Sequence, residues 1–204
     1  MKEIKLASSR RVGAESSATR TVILDATERL MLEEGYAAVS TRSVAGRAGL
    51  KAPLVHYYFP TTDDMLLAVY RRSADQNLER LSGALASDQP LRALWSLSTD
   101  QTRTALAVEF MAMANHRKLI GAEIARYVER FRAMQAEMLV RVLGDGVVDA
   151  RAGDLKRCPP AGLSMLLAGV SRALIMEASL GISAGHAEAI AFVEGWLRSV
   201  ETGV

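Results

Sequence analysis

The stretch STRSVAGRAGLKAPLVHYYFPTTDDML, residues 40–66, leaves few folds open. Ser40 is a good N-cap, and Val44, Ala45 and Ala48 lie on one side of a short helix over Thr41–Ala48. Gly49 stops that helix. Pro53 fits the first turn of the next, where its missing N–H costs nothing. Pro60 disfavours helix before it, so the second helix ends at about Tyr58 or Phe59. Thr61 and Asp64 then form a T-x-x-D capping box for a long helix to about Leu85. Two stubby helices joined by Gly49-Leu50-Lys51-Ala52 make a helix-turn-helix.

The rest of the chain reads as helix too. Ile23, Ala26 and Leu30 form one apolar stripe from about Thr19, and Gly35 closes that helix. Glu33 and Glu34 at its end oppose the macrodipole, so it needs tertiary support. Further helices are expected around Leu91–Trp95, over Thr102–His116 and over Lys118–Leu143. A glycine-bearing loop follows, then an apolar helix from Pro159-Pro160 to about Leu180, and a last one capped near Ser183. No strand alternation or internal repeat is present. The expected fold is all-α, with about nine helices: a basic arm over 1–18, a helix-turn-helix domain over 19–62 and a helical domain over 63–204.

Composition narrows the class. Half of the 204 residues are hydrophobic and 24% are charged, as in an ordinary globular protein. No apolar run reaches the roughly 18 residues of a membrane span, and the N-terminus lacks the apolar centre of a secretory signal. The single cysteine, Cys158, excludes an internal disulfide and fits a reducing cytoplasm. Residues 1–62 carry nine Lys/Arg against six Asp/Glu, a net +3, which favours a polyanion at that end.

Val55 and Phe59, four apart, share a face and anchor the second short helix. Leu54, His56, Tyr57 and Tyr58 are left on its other face. A helix of that size cannot bury so many rings. Outward tyrosines and a histidine can bond phosphates, and Leu54 can meet a thymine methyl in a major groove. An exposed aromatic patch on a helical bundle explains the same residues equally well.

In full, this segment resembles the N-terminal domain of TetR-family transcriptional repressors. The family pattern T-x-R-x-I-A-x-x-A-G-V-S-x-x-x-L-Y-x-Y-F-x-x-K-x-x-L is met in register at Arg42, Val44-Ala45, Ala48-Gly49 and Tyr58-Phe59. The resemblance implies DNA contacts from Thr41 and Arg42 at the start of the bracing helix, with Arg42 also able to reach a base edge. It places Lys51, Ala52, Pro53 and Leu54 at the start of the recognition helix, and His56, Tyr57 and Tyr58 at phosphates or bases. Three departures stand out. Lys51 replaces a common Ser, His56 a common Tyr, and Thr62 a common Lys, which removes one phosphate charge.

The resemblance further implies an effector site and a dimer, and no cofactor, metal, catalytic residue or membrane. Trp95, Phe110, Met134, Met138 and Met165 are the expected apolar lining, and Asn115, His116 and Glu177 the polar groups. Ordinary core is the competing explanation for each Met and Phe. Leu166, Val170, Leu174, Val193, Trp196, Leu197 and Val200 are expected in a four-helix interface with a second copy. Two recognition helices about 34–36 Å apart would then read a palindrome, and a small, mostly apolar effector would spoil that spacing. The long helix from Thr62, shared by both domains, would carry the shift.

Two other classes compete. An all-helical enzyme is disfavoured, because His56, His116 and His186 lack metal-ligand spacing and no P-loop, G-x-S-x-G or GxGxxG occurs. A helical adaptor using the tyrosine patch for protein binding is the other alternative.

Overall fold

The computed structural model describes residues 17–143 and 158–202. The expected arm (all but its last two residues) and most of the loop before Cys158 lie outside them. The described residues form nine α-helices and one 3-10 turn, with no strand. They are α1 (Ala18–Glu34), α2 (Thr41–Ala48), α3 (Ala52–Tyr58), α4 (Thr62–Leu85), α5 (Pro90–Ser98), α6 (Gln101–Ala114), α7 (Lys118–Leu143), α8 (Pro160–Ser179) and α9 (His186–Thr202). The turn, Tyr36–Ala38, joins α1 to α2. The chain divides into two compact units, Met1–Tyr70 and Arg71–Val204.

In the first unit the α1 stripe is buried as its spacing predicts: Ile23, Ala26, Leu30 and Met31 are buried, as are Val44 and Ala45 of α2 and Val55 of α3, and α2 packs on both α1 and α3. Thr27 sits inside that core because its hydroxyl donates to the Ile23 carbonyl at 2.8 Å. Phe59, Met65, Leu66 and Val69 complete the apolar set.

In the second unit α6, α7 and α8 pack on one another, and α5 packs on α8 and α9. Leu81, Leu91, Leu94, Trp95, Met138, Leu139, Leu163, Leu167, Val193 and Leu197 form its core. Buried Ser164 donates to Gln135, tying α8 to α7. Near the end of α9, the Glu201 carboxylate accepts from the Leu91 and Arg92 N–H groups at 2.7 and 3.1 Å. It thereby satisfies donors that the first turn of α5 leaves unpaired.

α9 begins at His186, after Gly185 at φ 79°, within three residues of the cap expected near Ser183. One described helix, α8, is long and apolar enough to cross a membrane by length and composition. One side of it sits in the core, Met165, Leu166 and Met176 are exposed, and Arg172 and Glu177 are its charged residues.

Candidate nucleic-acid interface

The geometry of α2 and α3 is fixed at both ends of the bracing helix. At its start, Ser43 N–H donates to Ser40 Oγ at 3.1 Å and Ser40 N–H donates to Ser43 Oγ at 2.9 Å. Ser43 Oγ also donates to the Ala38 carbonyl at 2.7 Å, which fastens the cap to the 3-10 turn. At its end, Gly49 takes φ 67° and ψ 27°, a left-handed conformation that glycine adopts without strain. Leu50 N–H reaches back to the Ala45 carbonyl at 2.9 Å and Gly49 N–H to Gly46 at 3.3 Å. That pair of bonds is the Schellman closure, and it sets the angle at which α3 departs.

A guanidinium ties the brace to α1. Arg47 bonds Glu33 and, at 2.8 Å, Glu34. The hydrogen bond that Arg47 donates to Glu33 is the main reason its pKa is raised, with burial working against it. The two acids unfavourably placed at the end of α1 thus find the cation they need on α2.

α3 opens at Lys51 with no side-chain cap and with Pro53 in its first turn. Val55 and Phe59 are buried, and the Arg20 guanidinium lies 5.0 Å from the Phe59 ring centroid. The opposite face is open: Leu54 is 38% exposed and Tyr57 55%. Arg42, Lys51, Pro53 and His56 are exposed as well. Thr41, Ala52 and Thr62 are half-buried at the edges. Tyr58 is drawn partly inward, its hydroxyl hydrogen-bonded to Ser17 Oγ at 3.0 Å and its ring edge-on to Tyr57 at 5.4 Å. Of the ten expected contact residues, six are exposed on the helix-turn-helix surface and four, Tyr58 among them, are half-buried. That surface can offer cations, phenol and imidazole to phosphates and an apolar tip to a base edge. Arg20 and Ser17 were not foreseen, since partners about forty residues away leave no local pattern.

The expected effector residues do not all converge. Trp95 and Met138 are buried in the second unit's core, with Met134 packed against them. Phe110 is buried on α6 outside that cluster. Asn115 and His116 are exposed past the end of α6, and Met165 is exposed on α8. Glu177 is hydrogen-bonded to His186 at 2.8 Å. A polar group absent from the sequence reading lies between helices of this unit: Arg103 of α6 donates to Asn77 of α4 at 3.2 Å, and Asn77 also bonds Tyr127 of α7. Burial pushes the Tyr127 phenol up to about 12, against the opposing pull of Asn77 and Arg103.

The expected dimer residues divide as well. Leu166 is exposed, while Val170, Leu174 and Trp196 are half-buried against the core. Val193 and Leu197 are buried within the subunit, Leu197 completely, and so are not available to a partner. The Val200 side chain lies outside the described residues. The exposed large apolar residues here are Met165, Leu166 and Met176 on α8, Leu180 and Ile182 between the helices, and Phe192 on α9.

Comparison with known proteins agrees with this geometry. Residues 23–69 match the family described as bacterial regulatory proteins, tetR family. The HTH-type transcriptional repressor BepR of Brucella suis biovar 1 (strain 1330) is 25% identical over 156 residues, 72% of this chain and 73% of BepR. The HTH-type transcriptional regulator BetI of Rhizobium meliloti (strain 1021) is 26% identical over 191 residues, 88% of this chain and 90% of BetI. The fold is shared with a Saccharomonospora viridis protein described as a transcriptional regulator and solved in complex with choline. There the TM-score is 0.68 at 18% identity, over 90% of this chain and 93% of that one. Residues 23–69 thus carry the helix-turn-helix domain of the tetR family of bacterial regulatory proteins, and over most of its length the chain is similar to transcriptional regulators.

Proposed function

We propose that the chain is a cytoplasmic repressor that binds a palindromic operator as a homodimer and is released by a small, mostly apolar effector. The observation that carries the DNA half is the open face of α3: Leu54 and Tyr57 are exposed while Val55 and Phe59 behind them are buried. A single two-turn helix reads only a few base pairs, so a second copy supplies the rest of the site. The exposed apolar residues of α8 and α9, Met165, Leu166, Met176 and Phe192, support that second copy, because such a patch favours a partner over water.

The repressor sign rests on BepR, and the effector on the Saccharomonospora complex with choline. In this chain Trp95, Met134 and Met138 are the apolar candidates for effector contact, and Tyr127, Asn77 and Arg103 offer a polar end. Effector and DNA would favour different arrangements of the dimer, with α4 shared by both domains. The coupling would be typically about 1–3 kcal/mol and necessarily reciprocal.

A gel shift on DNA from upstream of the chain's own gene tests this reading. Salt-sensitive, sequence-specific retardation is expected, relieved by an effector found in a thermal-shift screen of small organic molecules. Saturating DNA must weaken effector binding by the same factor. An effector affinity that DNA leaves unchanged would sink the switch, and an absence of retardation would sink the DNA reading.

A further inference from the structure

The side chains that the helix-turn-helix lacks narrow what it can read. Between Glu34 and Asp63 the sequence holds no carboxylate and no side-chain amide, and the first Asn or Gln of the whole chain is Gln76. Of the acids that flank this stretch, Glu33 and Glu34 bond Arg47. Asp64 accepts from the Thr61 hydroxyl at 2.7 Å in the first turn of α4.

Base edges in a major groove are told apart by the donors and acceptors that a protein presents. Asn and Gln grip adenine through N6 and N7 together, and Asp and Glu accept from cytosine N4. Neither kind of side chain occurs on α2 or α3. The hydroxyls of Thr41 and Tyr57 and the ring of His56 can bond singly, but none presents an amide's adjacent donor and acceptor. What α3 exposes is cationic or apolar. Lys51, at its head, is exposed and makes no ion pair among the described residues. Leu54 is 38% exposed one turn further on, and Val55 and Phe59, buried behind it, hold that face outward. The seven residues of α3 span about 10 Å, the rise of about three base pairs. Lys51 and Leu54 therefore reach the same short run of bases.

We propose that each half-site of the operator is read through guanine and thymine. Lys51 donates to O6 and N7 of a guanine, and Leu54 packs on the C5 methyl of a thymine in the same short run. Adenine and cytosine are specified only as the complements of those two bases. Thr41, Arg42 and Tyr57 serve the phosphates around them. The inference rests on the DNA-binding reading above. It adds which bases carry the sequence information and which two side chains read them.

An operator selected from random duplexes with the full chain tests it. The selected half-site is expected to hold a fixed thymine and a fixed guanine within about three base pairs of each other. Each thymine is then replaced in turn by deoxyuridine, which removes only the methyl, and each guanine by 7-deazaguanine, which removes only the N7 acceptor. For the wild-type chain, one deoxyuridine position per half-site is expected to cost about fourfold in affinity. One 7-deazaguanine position is expected to cost about tenfold. Leu54→Ala should bind the thymine and deoxyuridine duplexes equally, and Lys51→Met should lose the 7-deazaguanine effect. A wild-type affinity indifferent to every deoxyuridine, or a Leu54→Ala variant that keeps the full loss, would overturn the thymine contact while leaving DNA binding intact. The corresponding results with 7-deazaguanine and Lys51→Met would overturn the guanine contact. A chain that selects no sequence at all would instead overturn the DNA-binding reading, and this inference with it. The wild-type measurements do not depend on the folding of either variant.

Discussion

The hydroxyl of Tyr58, on the recognition helix, is held 3.0 Å from Ser17 Oγ at the start of α1. One of the three aromatic contact candidates is thereby committed to the subunit, while its neighbour Tyr57 is more than half exposed. The two tyrosines should therefore behave differently. Tyr58→Phe is expected to cost about 1 kcal/mol of stability, the usual net value of such a bond, and to leave the salt dependence of DNA binding unchanged. Tyr57→Phe is expected to weaken DNA binding. Urea unfolding and anisotropy titrations on both variants check this.

The bracing helix is set by two local devices that can be removed singly. Ser40→Ala takes away the cap oxygen that accepts from Ser43 N–H, at an expected cost of about 1 kcal/mol. Gly49→Ala has open space around the new methyl but keeps φ at 67°, so its cost is backbone strain alone, about 1 kcal/mol. The sites share no partner, and the double variant should lose the sum. Thermal and urea melts measure all three.

Thr62 opens α4 where relatives with a lysine would place a phosphate contact. Each phosphate neutralised adds about −0.9 to the slope of log K against log salt. Thr62→Lys should steepen that slope by about one per subunit, measured between low and physiological salt. An unchanged slope would place Thr62 off the phosphate track.

Tyr127 supplies a pH dependence. Its pKa is raised to about 12 from 10.0, chiefly by burial. The folded state thus holds the phenol proton more tightly than the unfolded state. Its contribution is fully present below about pH 10 and is lost as pH rises toward 12, by up to about 2 kcal/mol. Unfolding free energies measured from pH 8 to 11.5 should fall along that limb, and Tyr127→Phe should flatten it.

The helix-turn-helix was legible because every signal in it is local. Ser40, Gly49, Pro53 and Thr61–Asp64 act on their own turns, and α2 spans Thr41–Ala48 as its punctuation dictates. The 3-10 turn at Tyr36–Ala38 was missed because its sequence, Tyr-Ala-Ala, carries no breaker. The Arg47 fork onto Glu33 and Glu34 was missed because charges thirteen and fourteen residues apart announce no contact. On α8 and α9 the difficulty was of another kind. Core and subunit interface both demand apolar side chains, so a helix apolar on two sides does not say which side is which. Val193 and Leu197 were expected at a partner and are core, while Met165 and Phe192 are the exposed ones. The effector residues failed to converge because spacing along single helices says nothing about which helices meet.

The most direct test of the central claim places a carboxylate on the open face of α3. Leu54 is 38% exposed, so Leu54→Glu should fold with an unchanged melting temperature. An operator is first selected from random duplexes with the wild-type chain, and both proteins are then titrated against it at physiological salt. If α3 enters the major groove, Leu54→Glu loses at least about a hundredfold in affinity, since a buried, unpaired anion faces the base edges there. Equal affinity of the two proteins for the selected duplex would contradict the account.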